Sequence, residues 1–234
     1  MDVQDKVVLI TGASSGIGLA AVQRFAQAGA RVALAARSAD KLAALAQTLP
    51  GAFALPADLR DPDAVRRMVA AAHAHFGRLD VLINNAGQGL HVPVEHARPE
   101  DYRSVLELNL VAVLIAMQAA IPLMRAQGGG VIVNVSSGLT KRIVPGVGPY
   151  ASTKYALNAL TLTARQELAA DNIRVGLMIP GITDTDFGRN SIRLPGARPG
   201  NYAAGDSAEH VAEMLLEAVQ TEAAETYANA SRPR

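Results

Sequence analysis

Tyr150 and Lys154 stand four residues apart in a segment of helical period, so a helix projects both side chains from one face toward the same small volume. A phenol titrates near ~10, and bringing it close to neutrality takes about 4 kcal/mol of preferential stabilisation of the phenolate. A neighbouring ammonium has the sign to contribute, and a tyrosine so tuned can exchange a proton near pH 7. The same two residues also describe an ordinary surface Tyr/Lys pair, and spacing alone leaves both readings open. A second constellation lies near the amino end, where Gly12, Gly16 and Gly18 punctuate Thr11-Gly12-Ala13-Ser14-Ser15-Gly16-Ile17-Gly18. At a strand-to-helix junction, glycines permit a tight turn, close approach of a pyrophosphate to backbone amides, and close packing of helix on strand. A glycine cluster by itself is only a tight turn; opening a βαβ unit, it reads as a dinucleotide-binding loop.

These residues need elements to hold them. Short apolar runs at 6–11, 31–36, 52–57, 79–84, 131–136 and 173–179 alternate with segments of helical period. That is the pattern of parallel strands joined by crossover helices, a single-domain doubly wound α/β fold with helices on both faces. The helix after the first strand closes at Gly29, and Asp61-Pro62 opens another that ends at Gly77. Helices are predicted over 99–126 and 149–170, with a last one over 207–220. The stretch 188–202 carries Pro195, Gly196, Pro199 and Gly200 without periodicity and reads as a substrate loop.

Half of the 234 residues are hydrophobic, enough for one core, and one domain over 1–234 is expected. Lys plus Arg number 22 against 21 acids, and a net charge of +1 gives no field for nucleic acid or an anionic membrane. A small-molecule partner is expected instead. With no cysteine and a polar opening at 1–6, cytoplasmic residence follows as an expectation. The apolar stretch 108–124 is broken by Asn109, Gln118 and Pro122, which favours a buried helix over a membrane span. None of the five histidines shows metal-ligand spacing, and all but His91 read as solvated or capping. His91 lies beyond the fourth strand, where a ligand can be touched.

The order of the motifs is more specific than any one of them. Asn84-Asn85-Ala86-Gly87 ends the fourth strand, Ser136-Ser137-Gly138 the fifth, and Pro180-Gly181-Ile182-Thr183-Asp184-Thr185 the sixth, with Tyr150-Ala151-Ser152-Thr153-Lys154 between the last two. Over residues 6–187 the chain resembles the short-chain dehydrogenase/reductases, in the branch whose glycine motif reads T-G-x-x-x-G-x-G. The resemblance implies an oxidoreductase that interconverts a carbonyl and an alcohol by hydride transfer. It makes Tyr150 the general acid/base, Lys154 the ribose-binding residue that also lowers the tyrosine pKa together with the positive nicotinamide, and Ser137 the donor to the substrate oxygen. Ser137 is preferred to Ser136 because it precedes Tyr150 by thirteen residues. Asn109, a polar residue in an apolar helix, would bind the water connecting Lys154 to solvent, with a purely structural amide as the alternative.

For the cofactor, the resemblance assigns Gly12, Ser14, Ser15, Gly16, Ile17 and Gly18 to the phosphate loop. Asp58 and Leu59 fall at the adenine, Asn85, Ala86 and Gly87 near the adenosine ribose, and Pro180, Gly181, Thr183 and Thr185 at the nicotinamide end. Where NAD-preferring members carry an acid, this chain has Ala36 followed by Arg37. A guanidinium there suits a 2′-phosphate, so NADP(H) is expected over NAD(H), with a solvated Arg37 as the alternative. A non-catalytic dinucleotide sensor and a lyase or epimerase on the same fold are the rival functions. Pocket walls are expected from 138–145, His91 and 188–202, with Lys141, Arg142, Arg189, Arg193 and Arg198 as basic candidates. The carboxyl end lacks the family's usual terminal strand and tail as read from sequence. The crowded apolar surfaces of 105–124 and 155–168 call for a homodimer, with a tetramer as the alternative.

Overall fold

The structure, a computed structural model, describes residues 1–196 and 205–228. In chain order it contains β1 (Val7–Thr11), α1 (Gly16–Gln27), β2 (Arg31–Ala36), α2 (Ala39–Thr48), β3 (Phe53–Pro56), α3 (Pro62–Phe76) and β4 (Val81–Asn84). There follow β5 (Leu90–His91), α4 (Pro99–Leu106), α5 (Ala112–Ala126), β6 (Gly130–Val135), α6 (Gly148–Glu167), β7 (Ile173–Ile179), β8 (Ile192–Arg193), α7 (Ala208–Thr221) and β9 (Glu225–Tyr227). The main sheet has the order β3-β2-β1-β4-β6-β7-β9, and every pairing in it is parallel. From β1 the chain winds one way to β3, then crosses back to lay β4 on the other side. The crevice of such a sheet opens at that reversal, beyond the carboxyl ends of β1 and β4.

Alternation along the strands explains the two layers. In β1, Val8 and Ile10 face a core shared with Val22 and Phe25 of α1 and Leu215 of α7, while Val7 and Leu9 face the core of α3, α5 and α6. Strands buried on both faces read as the continuous apolar runs seen in the sequence. Local signals seat the helices: Asp61 accepts from the Asp63 amide at 2.9 Å to cap α3, and Gly77 ends it with φ 75°. Ser207 likewise accepts from the His210 amide at the start of α7.

The structure corrects two expectations. The helix expected over 99–126 is interrupted by a π turn at Glu107–Val111, which places Asn109 in a locally widened turn. By length and composition this stretch could cross a membrane, but half of its apolar window is buried against the protein. The terminal strand is present: β9 pairs with β7 through Leu177↔Glu225, Met178↔Thr226 and Ile179↔Tyr227. Three residues are too short to show a period, so only the partner strand reveals it. His75 is exposed, as expected, and also stacks flat on Phe53 with ring centroids 3.9 Å apart. The substrate loop expected over 188–202 lies within the described residues only to 196, where β8 pairs with β5 beside the carboxyl end of the main sheet. Arg198 lies outside the described residues.

Candidate active site

A cavity of about 1010 Å³ opens at the carboxyl edge of β1, β4 and β6. It is lined by every residue that the sequence assigned to cofactor or catalysis except Gly18 and Asn109. At its floor, the glycine turn is built by contacts that leave no space for side chains. A Cβ on Gly12, whose φ is +70°, would stand 2.8 Å from the Asn85 amide nitrogen, and one on Gly18 would stand 2.1 Å from the Gly12 carbonyl oxygen. Gly18 therefore serves helix-on-strand packing instead of touching the cavity. Thr11, which sequence reasoning passed over, locks the turn: its hydroxyl accepts from the amides of Asn85 and Ala86 at 3.0 and 3.1 Å, and Asn85 Nδ2 donates to the Thr11 carbonyl at 2.9 Å. No side chain caps α1 at Ser15, which leaves the positive end of the helix dipole open where Ser15, Gly16 and Ile17 line the cavity.

On the opposite wall, α6 presents Tyr150, Thr153, Lys154, Leu157 and Thr161 along one buried stripe. Lys154 Nζ donates to the Val135 carbonyl at 2.8 Å. Asn134, buried in β6, donates to Thr161 at 2.9 Å and accepts from Asn84 at 2.8 Å, so β4, β6 and α6 share one polar seam. The two serines after β6 part company here. Both border the cavity, but the Ser136 hydroxyl is committed to Asn158, whereas the Ser137 hydroxyl accepts from the Leu139 amide at 3.2 Å and acts on Tyr150. Asn109 is also buried: its amide accepts from Gln88 N at 2.9 Å and donates to the Gln88 carbonyl at 3.0 Å and to Thr153 at 3.1 Å. Its side chain thus braces the loop after β4 against α6. Gln88 and Arg60 are further cavity residues that the sequence did not single out, joined to each other side chain to side chain. Neither sits in a motif with chemistry of its own.

Burial governs the titration of the pair. Desolvation pushes the Tyr150 phenol up to about 12, with the hydrogen bond from Ser137 opposing it. The protein's own groups therefore hold a neutral phenol at physiological pH; the near-neutral titration expected from sequence counted the positive nicotinamide as well. Desolvation also pulls Lys154 down to about 8. His91 lies 6.1 Å from the Tyr150 ring, and burial first, then Arg193, lowers its pKa and keeps it neutral near pH 7. The Phe187 ring lies 5.7 Å from that of Tyr150. Of the basic residues expected in the wall, Arg142 lines the cavity; Lys141, Arg189 and Arg193 do not. Asp58 caps the following turn through the Arg60 amide at 3.0 Å and lines the far end beside Leu59, Ala36 and Arg37.

A doubly wound parallel sheet with an open glycine turn and a buried Tyr/Lys helix facing it across one crevice defines a class of protein, and comparison with known proteins identifies the same class. The short chain dehydrogenase family model matches residues 6–193. The chain is 37% identical over 193 residues to a 3alpha-hydroxysteroid dehydrogenase of Mediterraneibacter gnavus, covering 80% of this chain and 77% of that one. Among solved structures it is similar to the 3-ketoacyl-(acyl-carrier-protein) reductase of Brucella melitensis complexed with NADH, with a TM-score of 0.88, 28% identity, and 98% and 99% of the two chains covered. It is also similar to a blue fluorescent protein from a metagenomic library in complex with NADPH, with a TM-score of 0.87, 32% identity and 99% of each chain covered. The chain belongs to the short-chain dehydrogenase family of oxidoreductases.

The Lys154 environment has a measurable consequence. Its folded pKa of about 8 lies below the ordinary 10.5, so between those values the unfolded chain keeps a proton that the folded chain has released, and stability rises with pH. Tyr150 works in the opposite sense above pH 10, where the unfolded chain loses its phenolic proton first and stability falls toward pH 12. Urea unfolding of the parent and of Lys154→Met at pH 7 and pH 10 should show the parent gaining about 2 kcal/mol on the variant over that interval. A difference independent of pH would show that the ammonium is not desolvated.

Proposed function

We propose that this chain interconverts a carbonyl and a secondary or primary alcohol with a nicotinamide dinucleotide, and that NADP(H) is preferred to NAD(H). The observation that carries the reading is buried Tyr150, beside Ser137 and one helical turn from buried Lys154, at the wall of the cavity that the uncapped start of α1 also lines. The names of the hydroxysteroid dehydrogenase and ketoacyl reductase relatives support carbonyl–alcohol chemistry, and the NADH and NADPH complexes support the cofactor class. When bound, the dinucleotide supplies or takes up a hydride at its nicotinamide ring.

The residues present fit that group. The glycine turn and the uncapped α1 amides suit a pyrophosphate, Asp58 and Leu59 border the adenine end, and Thr183 and Thr185 border the nicotinamide end. Ala36 offers no acid to ribose hydroxyls, and Arg37 beside it offers a guanidinium to a 2′-phosphate. Ser137 holds the substrate oxygen, and Tyr150 gives it a proton in reduction or removes one in oxidation. A phenol held neutral has its proton to give, and the phenolate left behind is favoured by the Lys154 ammonium. Lys154 would also hold the ribose of the bound dinucleotide. Net consumption of NAD(P)H with a carbonyl separates this reading from a sensor, a lyase or an epimerase.

We also propose a homodimer across α5 and α6. One chain buries more of these helices than the sequence implied, yet Leu114 and Tyr155 remain 37% and 43% exposed, one on each helix. A two-fold copy would cover them.

Three outcomes are expected. Tyr150→Phe should lower turnover by about 10²-fold or more while cofactor affinity, read by NADPH fluorescence titration, is retained. Near-parental turnover would remove Tyr150 from the proton transfer. Replacing Ala36 with Asp together with Arg37 with Ala should shift kcat/KM from NADP(H) toward NAD(H); a parent enzyme already faster with NAD(H) contradicts the assignment. In sedimentation velocity at micromolar concentration the protein should run heavier than the 24.4 kDa chain, and a compact monomer would refute the pairing.

A further inference from the structure

We propose that the substrate is amphipathic: an apolar body carrying the reacting carbonyl or alcohol, with a carboxylate at its far end that Arg142 binds. This rests on the carbonyl–alcohol reading above and specifies its substrate class.

Among the described residues seven large hydrophobic side chains are exposed, and five of them, Val94, Ile143, Val144, Phe187 and Leu194, lie on the three segments around the substrate end of the cavity. Ile143 is 87% and Val94 78% exposed. Val94 packs near Gly148 at the start of α6, Val144 and Phe187 line the cavity itself, and Leu194 follows β8. Apolar side chains gathered at the mouth of a pocket mark a surface that a ligand covers. A small hydrophilic carbonyl compound would leave them in water.

The charges around the same mouth are unevenly spent. Lys141 pairs with Glu225 at 3.2 Å and stands over the Tyr227 ring at 5.4 Å. Arg189 pairs with Asp186 at 3.0 Å, and Arg193 reaches His91 Nδ1 at 3.3 Å. Arg142 lines the cavity and has no ion pair or hydrogen-bonding acid among the described residues. Asp186, the acid on this side of the cavity lining, is engaged by Arg189, and His91 is neutral. One uncompensated guanidinium beside an apolar mouth matches a singly charged carboxylate, which it can hold by two parallel bonds. A phosphate dianion would call for a second cation.

The test measures kcat/KM with NADPH for oxo-carboxylic acids of increasing chain length, their methyl esters, and a small polyhydroxy carbonyl compound, with the parent, Arg142→Lys and Arg142→Glu. The parent should prefer a long-chain oxo acid over its ester by about tenfold. It should also prefer long chains over short ones and over the polyhydroxy compound. The acid-to-ester ratio should fall to near one or below in Arg142→Glu, through KM, and be partly kept in Arg142→Lys. Equal use of acid and ester by the parent, a ratio insensitive to Arg142→Glu, or better turnover of phosphorylated or polyhydroxy carbonyls would overturn the substrate assignment while leaving the carbonyl–alcohol reading standing. Turnover of no carbonyl with NADPH or NADH, and of no corresponding alcohol with NADP or NAD, would overturn both.

Discussion

The site depends on burying one ammonium. Lys154 has almost no exposed surface, and it is tolerable there because its nitrogen meets the Val135 carbonyl at 2.8 Å, at the last residue of β6. A buried cation without a partner would cost several kcal/mol. The contact therefore ties α6 to one register on the sheet, and Tyr150, one turn away, inherits its position. Asn134 bonded to Thr161 and Ser136 to Asn158 repeat the tie along the same seam, so α6 is held by polar bonds with directions as well as by apolar packing, which has none.

Facing that seam, the glycine turn is held from the β4 side. Thr11 and Asn85 exchange bonds across the crevice where the winding of the sheet reverses, and the Asn109 amide grips Gln88 on the same loop. The loop after β4 thus touches both the turn that suits a pyrophosphate and the helix that carries the tyrosine. The two halves of the proposed chemistry are kept at one distance by hydrogen bonds through residues that perform none of it. The π turn at Glu107–Val111 belongs to this bracing, since it lets Asn109 reach both Gln88 and Thr153.

At the outer rim, β9 anchors the segment after β6. Glu225 and Tyr227 project from the last strand to Lys141, directly beside Arg142. The consequence is selective: the strand neutralises one cation and leaves its neighbour available to the cavity. Similarly, β8 is held to β5 and brings Arg193 to His91, so the tyrosine is flanked by a neutral imidazole and Phe187 instead of a charge. The substrate side of the cavity owes its character to which charges these short pairings remove.

By itself the sequence determined what local periodicity and fixed spacing encode. The alternating strands and helices, the Asp61 and Gly77 ends of α3, the glycine turn and the Tyr150/Lys154 face were all legible, because each arises from residues within a few positions of one another. The tertiary structure decided what depends on partners distant in the chain. Three-residue β9 exists because β7 lies beside it; both serines border the cavity, but the Ser136 hydroxyl is taken by Asn158; Lys141, Arg189 and Arg193 are spent, and Arg142 is not, because of where acids and His91 fall in space. The direction of the Tyr150 shift belongs with these. The Tyr150/Lys154 spacing was written in the sequence, but the burial that raises the phenol is a property of the packed chain, since desolvation is set by everything that surrounds a group and not by its neighbours along the backbone.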